Sequence, residues 1–495
     1  MIIISKLNEL YLKVDSDDRG VLREISDKFS FMVPGYQYSP QYKNGVWDGR
    51  IKLFNVNLRT LYSGLLMDLI DYLKSENYQF DISDKTIIKS QTLDSEFDIF
   101  KTDVYNYTNM SVEGIYSYQM EALIKCIFYN KALILSPTGS GKSHLIYLLV
   151  RFLLQHLERD ILICVPTTAL CSQIIDDFDD YVVDDWIAYD NCHKIYSGQD
   201  KTSNKRVVVS TYQSLVKMSS DYFNKFDALI VDEAHQADSK SIISIIDNMA
   251  HAPWRFGLTG TLNGTKIHEL CLRGLFGPTI KTKTTKELMD IGVLAKLKIV
   301  AYKLKYSADD RKLVRKLHSE YQTEIKWILE NVNRNSFLIN KAFETTKNTL
   351  ILFNMSEHGK ELLRIANDMN ANGTKQIFFM NGNTKTDERE EIRKNLELIN
   401  DAILIASYGV FSVGANVKNI DFVMFAHPYK ARIRNLQSIG RSIRKKDGKD
   451  FATLIDIGDD LTQNKKPNIT YSHFTSRLKI YTAEQFDYII SEVDM

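Results

Sequence analysis

Residues Ala132–Ser143 read ALILSPTGSGKS. Ala132 to Leu135 is an apolar run of strand length, Ser136 to Gly141 is a turn of small residues and proline, and an apolar helix-like run starts at His144. A strand, a small-residue loop and a helix opening on Gly-Lys-Ser make a phosphate cradle, because loop N–H groups and a helix N-terminus face one anion. Ser136, Pro137, Thr138, Gly139, Ser140, Gly141, Lys142 and Ser143 are therefore candidate ATP-binding residues. In this reading Gly139 and Gly141 let the main chain close round phosphate oxygens without Cβ clashes. Lys142 reaches the β- and γ-phosphates as a point charge, and the Ser143 hydroxyl binds Mg²⁺. The strict pattern G-x-x-x-x-G-K-[ST] departs at its first position, Ser136. By itself the stretch also reads as an ordinary glycine turn before a helix, so the decision falls to the rest of the chain.

Downstream, the strand-like run Ala228–Val231 delivers Asp232, Glu233, Ala234 and His235 at its end. Two carboxylates beside a phosphate loop supply what phosphate hydrolysis needs: Asp232 to hold Mg²⁺ and Glu233 to orient or deprotonate the attacking water. Alone, such a pair is a surface acidic turn; its separation from the phosphate loop suits one α/β domain. Farther on, Gln437–Arg444 read QSIGRSIR. On a helix Gln437, Gly440, Arg441 and Arg444 share a face. Arg441 and Arg444 then project together, and such arginines stabilise charge on a transferring γ-phosphoryl group. The plainer alternative is a solvated basic helix, or arginines paired with neighbouring acids.

A length of 495 residues suggests about three domains, or two and an appendage. Apolar content of 44% gives ample core, and a net charge of +1 excludes a globally basic coat, so nucleic acid would be held by local patches. Five cysteines without a C-x-x-C pair fit a reducing cytoplasm and give no zinc signature. No apolar run approaches the ~20 residues of a membrane span. The first residues lack a basic n-region and turn acidic early, which does not read as a signal peptide.

Residues 1–107 read as a small α+β accessory or substrate-binding domain, with strands near Leu10–Val14, Ile51–Phe54 and Thr86–Lys89 and helices near Asp18–Phe29 and Gly64–Ser75. Its unusual part is Tyr36–Arg59, where Tyr36, Tyr38, Tyr42 and Trp47 interleave with Lys43, Arg50, Lys52 and Arg59 around two turn dipeptides, Asn44-Gly45 and Asp48-Gly49. Such a stretch either grips nucleic acid by stacking and charge or is a hairpin filling its own domain's core. From 108 to 298 apolar strands alternate with helices, and polar residues (Thr167, Ser210, Thr211, Thr259, Thr261) gather after strands, as in a doubly wound parallel sheet that binds ligands at its carboxyl edge. A polar helical stretch, Ala308–Thr346, leads into a second α/β region, 299–465, whose strand-like runs start at Leu350, Ile377, Ile403 and Phe422. Residues 466–495 read as a helical tail. The fold class expected is α/β: two parallel-sheet lobes in tandem behind a small α+β domain.

In this order the motifs resemble those of superfamily 2 helicases and translocases of the DExH kind, over about Ile115–Asp460. The resemblance implies two RecA-like lobes with ATP and Mg²⁺ between them. Gln119 becomes an adenine reader, although Tyr116 stands where an arginine is common. Ser136–Ser143 is the Walker A motif and the DEAH of Asp232–His235 the Walker B. Thr167, Ser210, Thr211 and Ser407 become nucleic-acid contacts, and Gly414 and Asn416 belong to the fifth motif beside the ATP. Coupling falls to His235, Thr259, Thr261 and Gln437. QSIGRSIR fits the arginine-finger motif in full.

The segments NGVWDGR (Asn44–Arg50) and SYGVFSVGANV (Ser407–Val417) look like those of the recombination helicases of T-even bacteriophages. That likeness implies action on branched DNA, single strands and RNA–DNA hybrids in a host cytoplasm, with Trp47 and Arg50 in a substrate-binding domain. It also implies a monomer that works beside recombination or single-strand-binding proteins. Two readings compete: a duplex translocase that does not separate strands, and a nucleic-acid binding or annealing protein with a vestigial ATP site.

Overall fold

The computed structural model describes residues 1–33, 35–84, 87, 102, 114–182, 184–196, 202–236, 240–260, 262, 266–316, 321–413, 419–428 and 451–495. Thr261, Gly414, Asn416, Gln437, Arg441, Arg444 and, of the expected strand Thr86–Lys89, all but Ile87 lie outside the described residues. Two compact units emerge: Met1–Ser136 with Gly141–Thr282, and Pro137–Ser140 with Lys283–Met495.

The first unit opens on a small domain. Strands β1 (Ile2–Lys6), β2 (Tyr11–Asp15), β5 (Phe54–Asn55), β6 (Thr60–Tyr62) and β7 (Phe80–Ile82) form a mixed sheet in the order β5-β6-β2-β1-β7, and β3 (Ser30–Met32) pairs with β4 (Arg50–Lys52) separately. Alternation makes β1 one-sided: Ile2 and Ile4 are buried while Ile3 is exposed. The helix Arg19–Lys28 starts where Asp18 Oδ1 accepts from the Gly20 N–H at 2.7 Å, and its Leu22 and Ile25 face the core with the helix Leu66–Ser75.

Lobe 1 follows, a seven-stranded sheet in the order β10-β11-β9-β12-β13-β8-β14 whose neighbours all run parallel. Its strands are β8 (Lys131–Leu135), β9 (Asp160–Val165), β10 (Cys192–Ile195), β11 (Val207–Thr211), β12 (Phe226–Val231), β13 (Trp254–Thr259) and β14 (Thr279–Lys281). Buried on both faces, the inner strands read as largely unbroken apolar runs rather than alternating ones, while the edge strands β10 and β14 are polar and only partly buried. Register aligns Leu135 with Thr259 and Val231 with Cys164, so the strands stop along one edge.

The second unit carries a second seven-stranded parallel sheet, β17-β18-β16-β19-β20-β15-β21. Its strands are β15 (Lys296–Lys305), β16 (Thr349–Phe353), β17 (Gln376–Met380), β18 (Ala402–Ser407), β19 (Phe422–Phe425), β20 (Phe451–Asp460) and β21 (Tyr488–Asp494). Residue 298, taken from the sequence as the end of lobe 1, lies inside β15, which opens this sheet; the break between the units falls at Thr282/Lys283. Beyond residue 465 the structure also departs from an all-helical tail: Ile469–Ala483 is a helix, but Tyr488–Asp494 pairs with β15. That pairing satisfies main-chain groups through a strand far away in sequence, which local composition does not announce.

The tail is held by buried charge. Arg477 gives Asp456 Oδ1 hydrogen bonds of 3.0 Å from Nε and 2.8 Å from Nη2, and the Tyr481 hydroxyl donates to Asp456 Oδ2 at 2.8 Å. Glu324 accepts from the Ile469 and Thr470 N–H groups at the start of the tail helix. Arg477 and Asp456 are 1% and 0% exposed, so removing one partner strands a buried charge. Arg477→Met is expected to lower stability by about 3–5 kcal/mol, read as a fall in the denaturant midpoint of lobe 2.

Candidate active site

β8 ends at the loop Ser136–Gly141 and the helix Lys142–His156 begins at once. Gly139 and Gly141 take φ of 84° and 80°, a region L side chains rarely enter. A Cβ on Gly141 would sit 2.3 Å from Gln119 Nε2, so the Gln119 carboxamide would have to move off the loop. Gln119, buried in the helix Ser117–Tyr129, accepts from the Tyr116 N–H at 3.1 Å and donates to the Gly141 carbonyl at 3.3 Å. Its carboxamide thus braces the phosphate loop from behind. The Ser136 N–H donates to the Thr259 carbonyl at 2.9 Å, and Thr282 Oγ1 lies 3.0 Å from Ser136 Oγ. Lys142 Nζ donates to the Ser136 carbonyl at 3.3 Å, and Ser143 Oγ sits 3.1 Å from the Tyr181 hydroxyl. Within the loop, Ser140 Oγ donates to the Pro137 carbonyl at 2.6 Å.

β12 delivers the carboxylates. The Asp232 N–H donates to the Cys164 carbonyl at 2.9 Å, locking the residue to the end of β9, and the Tyr212 hydroxyl donates to the Asp232 carbonyl. Asp232 Oδ1 accepts from the Glu233 N–H at 2.9 Å. Glu233 holds a φ of 53°, a strained setting for a residue with a side chain. His235 Nδ1 lies 3.1 Å from both Glu233 Oε2 and Thr259 Oγ1, so one ring links the end of β12 to the end of β13. Burial, then the neighbouring Glu233 charge, pushes the Asp232 carboxyl above the usual carboxylate range, while the Lys142 ammonium works against them. Among the described residues no cluster of three His, Cys, Asp or Glu is arranged for a metal. A hydroxyl and one carboxylate are nevertheless the modest protein set that Mg²⁺ takes when phosphates supply the rest, so Ser143 and Asp232 fit it.

The other expected residues divide. Thr167 caps the helix Thr168–Tyr181, its Oγ1 accepting from the Leu170 N–H at 3.4 Å. Ser210 and Thr211, expected to touch nucleic acid, face inward instead. Ser210 Oγ is fully buried and donates to the Ile195 carbonyl at 2.9 Å, and Thr211 Oγ1 bonds Ser214 Oγ at 3.0 Å. The parallel strand pairing that buries β11 takes both hydroxyls with it. In the second lobe Ser407 ends β18, its Oγ accepting from the Val410 N–H at 3.4 Å. In the small domain Trp47 Nε1 donates to the Arg50 carbonyl at 2.8 Å, and Arg50 Nη1 donates to Ser30 Oγ at 3.0 Å.

Together with Gly45, Val46, Asp48 and Lys52, Trp47 and Arg50 line a surface groove of about 570 Å³. Tyr38 is 75% exposed, and none of Tyr36, Tyr38, Tyr42 or Trp47 belongs to the domain's apolar core. Sequence reasoning missed Tyr181 and Tyr212. Both meet the site across long sequence separations, and nothing in their local pattern marks them.

Gly141→Ala tests the brace. It introduces an unfavourable φ and a clash with Gln119, so a stability loss of about 1–3 kcal/mol is expected, measured by thermal unfolding. Gly45→Ala, where φ is 68° and nothing lies within 4 Å, carries the backbone cost alone.

The chain matches known proteins along nearly its whole length. Residues 6–83 match the family described as DNA helicase UvsW, N-terminal; 113–264 match Type III restriction enzyme, res subunit; and 331–446 match the helicase conserved C-terminal domain. The ATP-dependent DNA helicase uvsW of Enterobacteria phage T4 is 32% identical over 504 residues, covering 98% of each chain. The DNA 3'-5' translocase XPB2 of Sulfurisphaera tokodaii is 26% identical across 69% of this chain and 80% of its own. The crystal structure of T4 UvsW covers 100% of this chain and 99% of that one at 30% identity, with a TM-score of 0.50. A Type ISP restriction-modification enzyme, LlaBIII bound to DNA, shares the fold over 78% of this chain and 32% of its own (TM-score 0.56, 12% identity). A match from end to end at that identity, on a chain whose two parallel sheets are RecA-like lobes behind a small N-terminal domain, places the chain in the UvsW family of ATP-dependent DNA helicases.

Proposed function

We propose that the protein couples ATP hydrolysis to unwinding or branch migration of branched DNA and RNA–DNA hybrids, R-loops and Holliday junctions among them, in recombination, repair and replication control. The observation that carries the ATP-driven part is the line of groups along one sheet edge. The phosphate loop, Asp232 and Glu233, and Thr259 stand at neighbouring strand ends, with His235 linking the last two. On this reading Pro137, Thr138, Gly139, Ser140 and Gly141 wrap the phosphates, Lys142 neutralises them, and Ser143 and Asp232 hold Mg²⁺. Bound there, Mg²⁺ screens phosphate charge. Glu233 accepts the proton of the attacking water, and Arg441 and Arg444 stabilise the transferring group, worth about 10³–10⁵ in rate. Thr259, Thr261 and Gln437 pass the nucleotide state to the nucleic-acid track, which Thr167 and Ser407 border, while Gly414 and Asn416 lie beside the nucleotide.

The substrate class rests on the small domain. Exposed tyrosines and Trp47 beside Arg50 and Lys52 suit stacking on unpaired bases with cations on phosphates, which a branch point offers and plain duplex does not. The family likeness supports a host cytoplasm and a monomer beside recombination or single-strand-binding proteins. Among the described residues no helix is long and apolar enough to cross a membrane. A second reading, duplex translocation without strand separation, draws on the similarity to the Sulfurisphaera translocase.

Steady-state ATPase measured with single strands, linear duplex, three- and four-way junctions and an R-loop separates the readings. Stronger stimulation by junctions and R-loops is expected; equal stimulation by linear duplex would favour the translocase, and no turnover with any of them would leave a binding or annealing protein. Glu233→Gln is expected to cut turnover by about 10²–10⁴ while fluorescent ATP still binds. Trp47→Ala is expected to weaken single-strand binding by about 1–3 kcal/mol with basal turnover unchanged; unaltered binding would remove Trp47 from the interface.

A further inference from the structure

The turn between β1 and β2 leaves its own domain. Asn8 Oδ1 accepts from the Leu10 and Tyr11 N–H groups at 2.9 and 2.7 Å, and the Leu7 N–H bonds the Tyr11 carbonyl at 3.0 Å, so the turn is braced from within. Its tip serves lobe 1. Leu10 is fully buried in the apolar cluster of lobe 1 that holds Leu133, Leu229 and Phe276. Beside it the Glu9 carbonyl accepts from Lys131 Nζ at 2.6 Å and from Arg255 Nη2 at 2.9 Å. The Glu9 carboxylate takes Lys131 Nζ again at 2.8 Å, and the Glu9 N–H donates to the Ala250 carbonyl at 2.9 Å.

Lys131 and Arg255 are partners in register, the first residue of β8 opposite the second of β13. Like charges facing each other across strands repel, and Arg255 is only 1% exposed. Burial pulls Lys131 down to about 8 and Arg255 down to about 10. Lobe 1 supplies the Leu275 carbonyl to Arg255 at 3.2 Å; the acceptor shared by both cations comes from Glu9. Around this point the Tyr11 hydroxyl donates to Asp247 at 2.8 Å, Arg273 Nη2 donates to Asp68 at 2.6 Å, and a Cβ on Gly64 would lie 2.0 Å from the Arg273 carbonyl.

We propose that the Glu9 turn fastens the small domain to the foot of β8 and β13, its carbonyl on Lys131 and Arg255 and its carboxylate a positioning group on Lys131, making residues 1–83 and lobe 1 one mechanical body. The far ends of these strands carry the phosphate loop and Thr259, on the order of 17 Å away at 3.3 Å per residue. Load taken by the small domain therefore reaches the nucleotide site along two strands. This second step rests on the function proposed above; the docking does not.

The test uses the full chain and hydrogen–deuterium exchange with Glu9→Ala, Glu9→Gln and Lys131→Met, alongside basal and nucleic-acid-stimulated ATPase. Glu9→Ala and Lys131→Met are expected to speed exchange in residues 1–15 and 60–83 at least tenfold while residues 349–369 of the second lobe stay unchanged. The ratio of stimulated to basal turnover should fall several-fold with basal turnover kept within twofold, and Glu9→Gln, which retains a side-chain oxygen acceptor, should recover part of both. Unchanged exchange in both Glu9→Ala and Lys131→Met would overturn the docking. Faster exchange with an unchanged ratio would overturn the transmission of load. Should the unaltered protein show no stimulation by any nucleic acid, the proposed function falls, and the exchange comparison still decides the docking.

Discussion

Parallel register at the carboxyl edge of lobe 1 is the constraint on which the site depends. β8, β13, β12 and β9 end together, and two main-chain hydrogen bonds continue the ladder one residue past the strands: Ser136 to Thr259 and Asp232 to Cys164. The phosphate loop and the acidic pair cannot shift independently while those bonds hold. A one-residue slip in a parallel strand turns its side chains to the other face. It would carry Asp232 away from Lys142 and break the His235 link to Thr259.

The two lobes treat the acids near their strand ends differently. In the second lobe the acids at the end of β20 meet arginines: Asp459 pairs with Arg334 and Asp456 with Arg477, all buried, with tyrosine hydroxyls completing the set. Such clusters hold the fold and have no charge left to offer. In lobe 1 Asp232 is buried beside Glu233, and its carboxyl is pushed upward.

The small domain combines two kinds of surface. Trp47 and Arg50 line a groove with Tyr38 and Tyr42 exposed in the same stretch, whereas Leu10 of the Leu7–Tyr11 turn is buried in lobe 1 and the Glu9 carbonyl serves half-buried Lys131 and buried Arg255. Leu270 and Cys271 of lobe 1 in turn pack against the small domain's core. A domain docked by reciprocal burial does not behave as a tethered accessory.

The amino-acid sequence alone determined the doubly wound class, because parallel strands buried on both faces must be apolar throughout and helices between them amphipathic or apolar. It also determined the candidate chemistry, since glycine, lysine, serine and paired acids at those spacings suit phosphate and little else. Tertiary structure decided the rest. It turned Ser210 and Thr211 inward, made a strand of Tyr488–Asp494, brought Tyr181 to Ser143, and set Tyr36, Tyr38, Tyr42 and Trp47 outside the small domain's core. It alone revealed Glu9 between Lys131 and Arg255. The reason is physical: motifs and periodicity are local, whereas a buried charge finds its partner, and an edge strand its neighbour, across more than a hundred residues of chain that only the packed fold brings together.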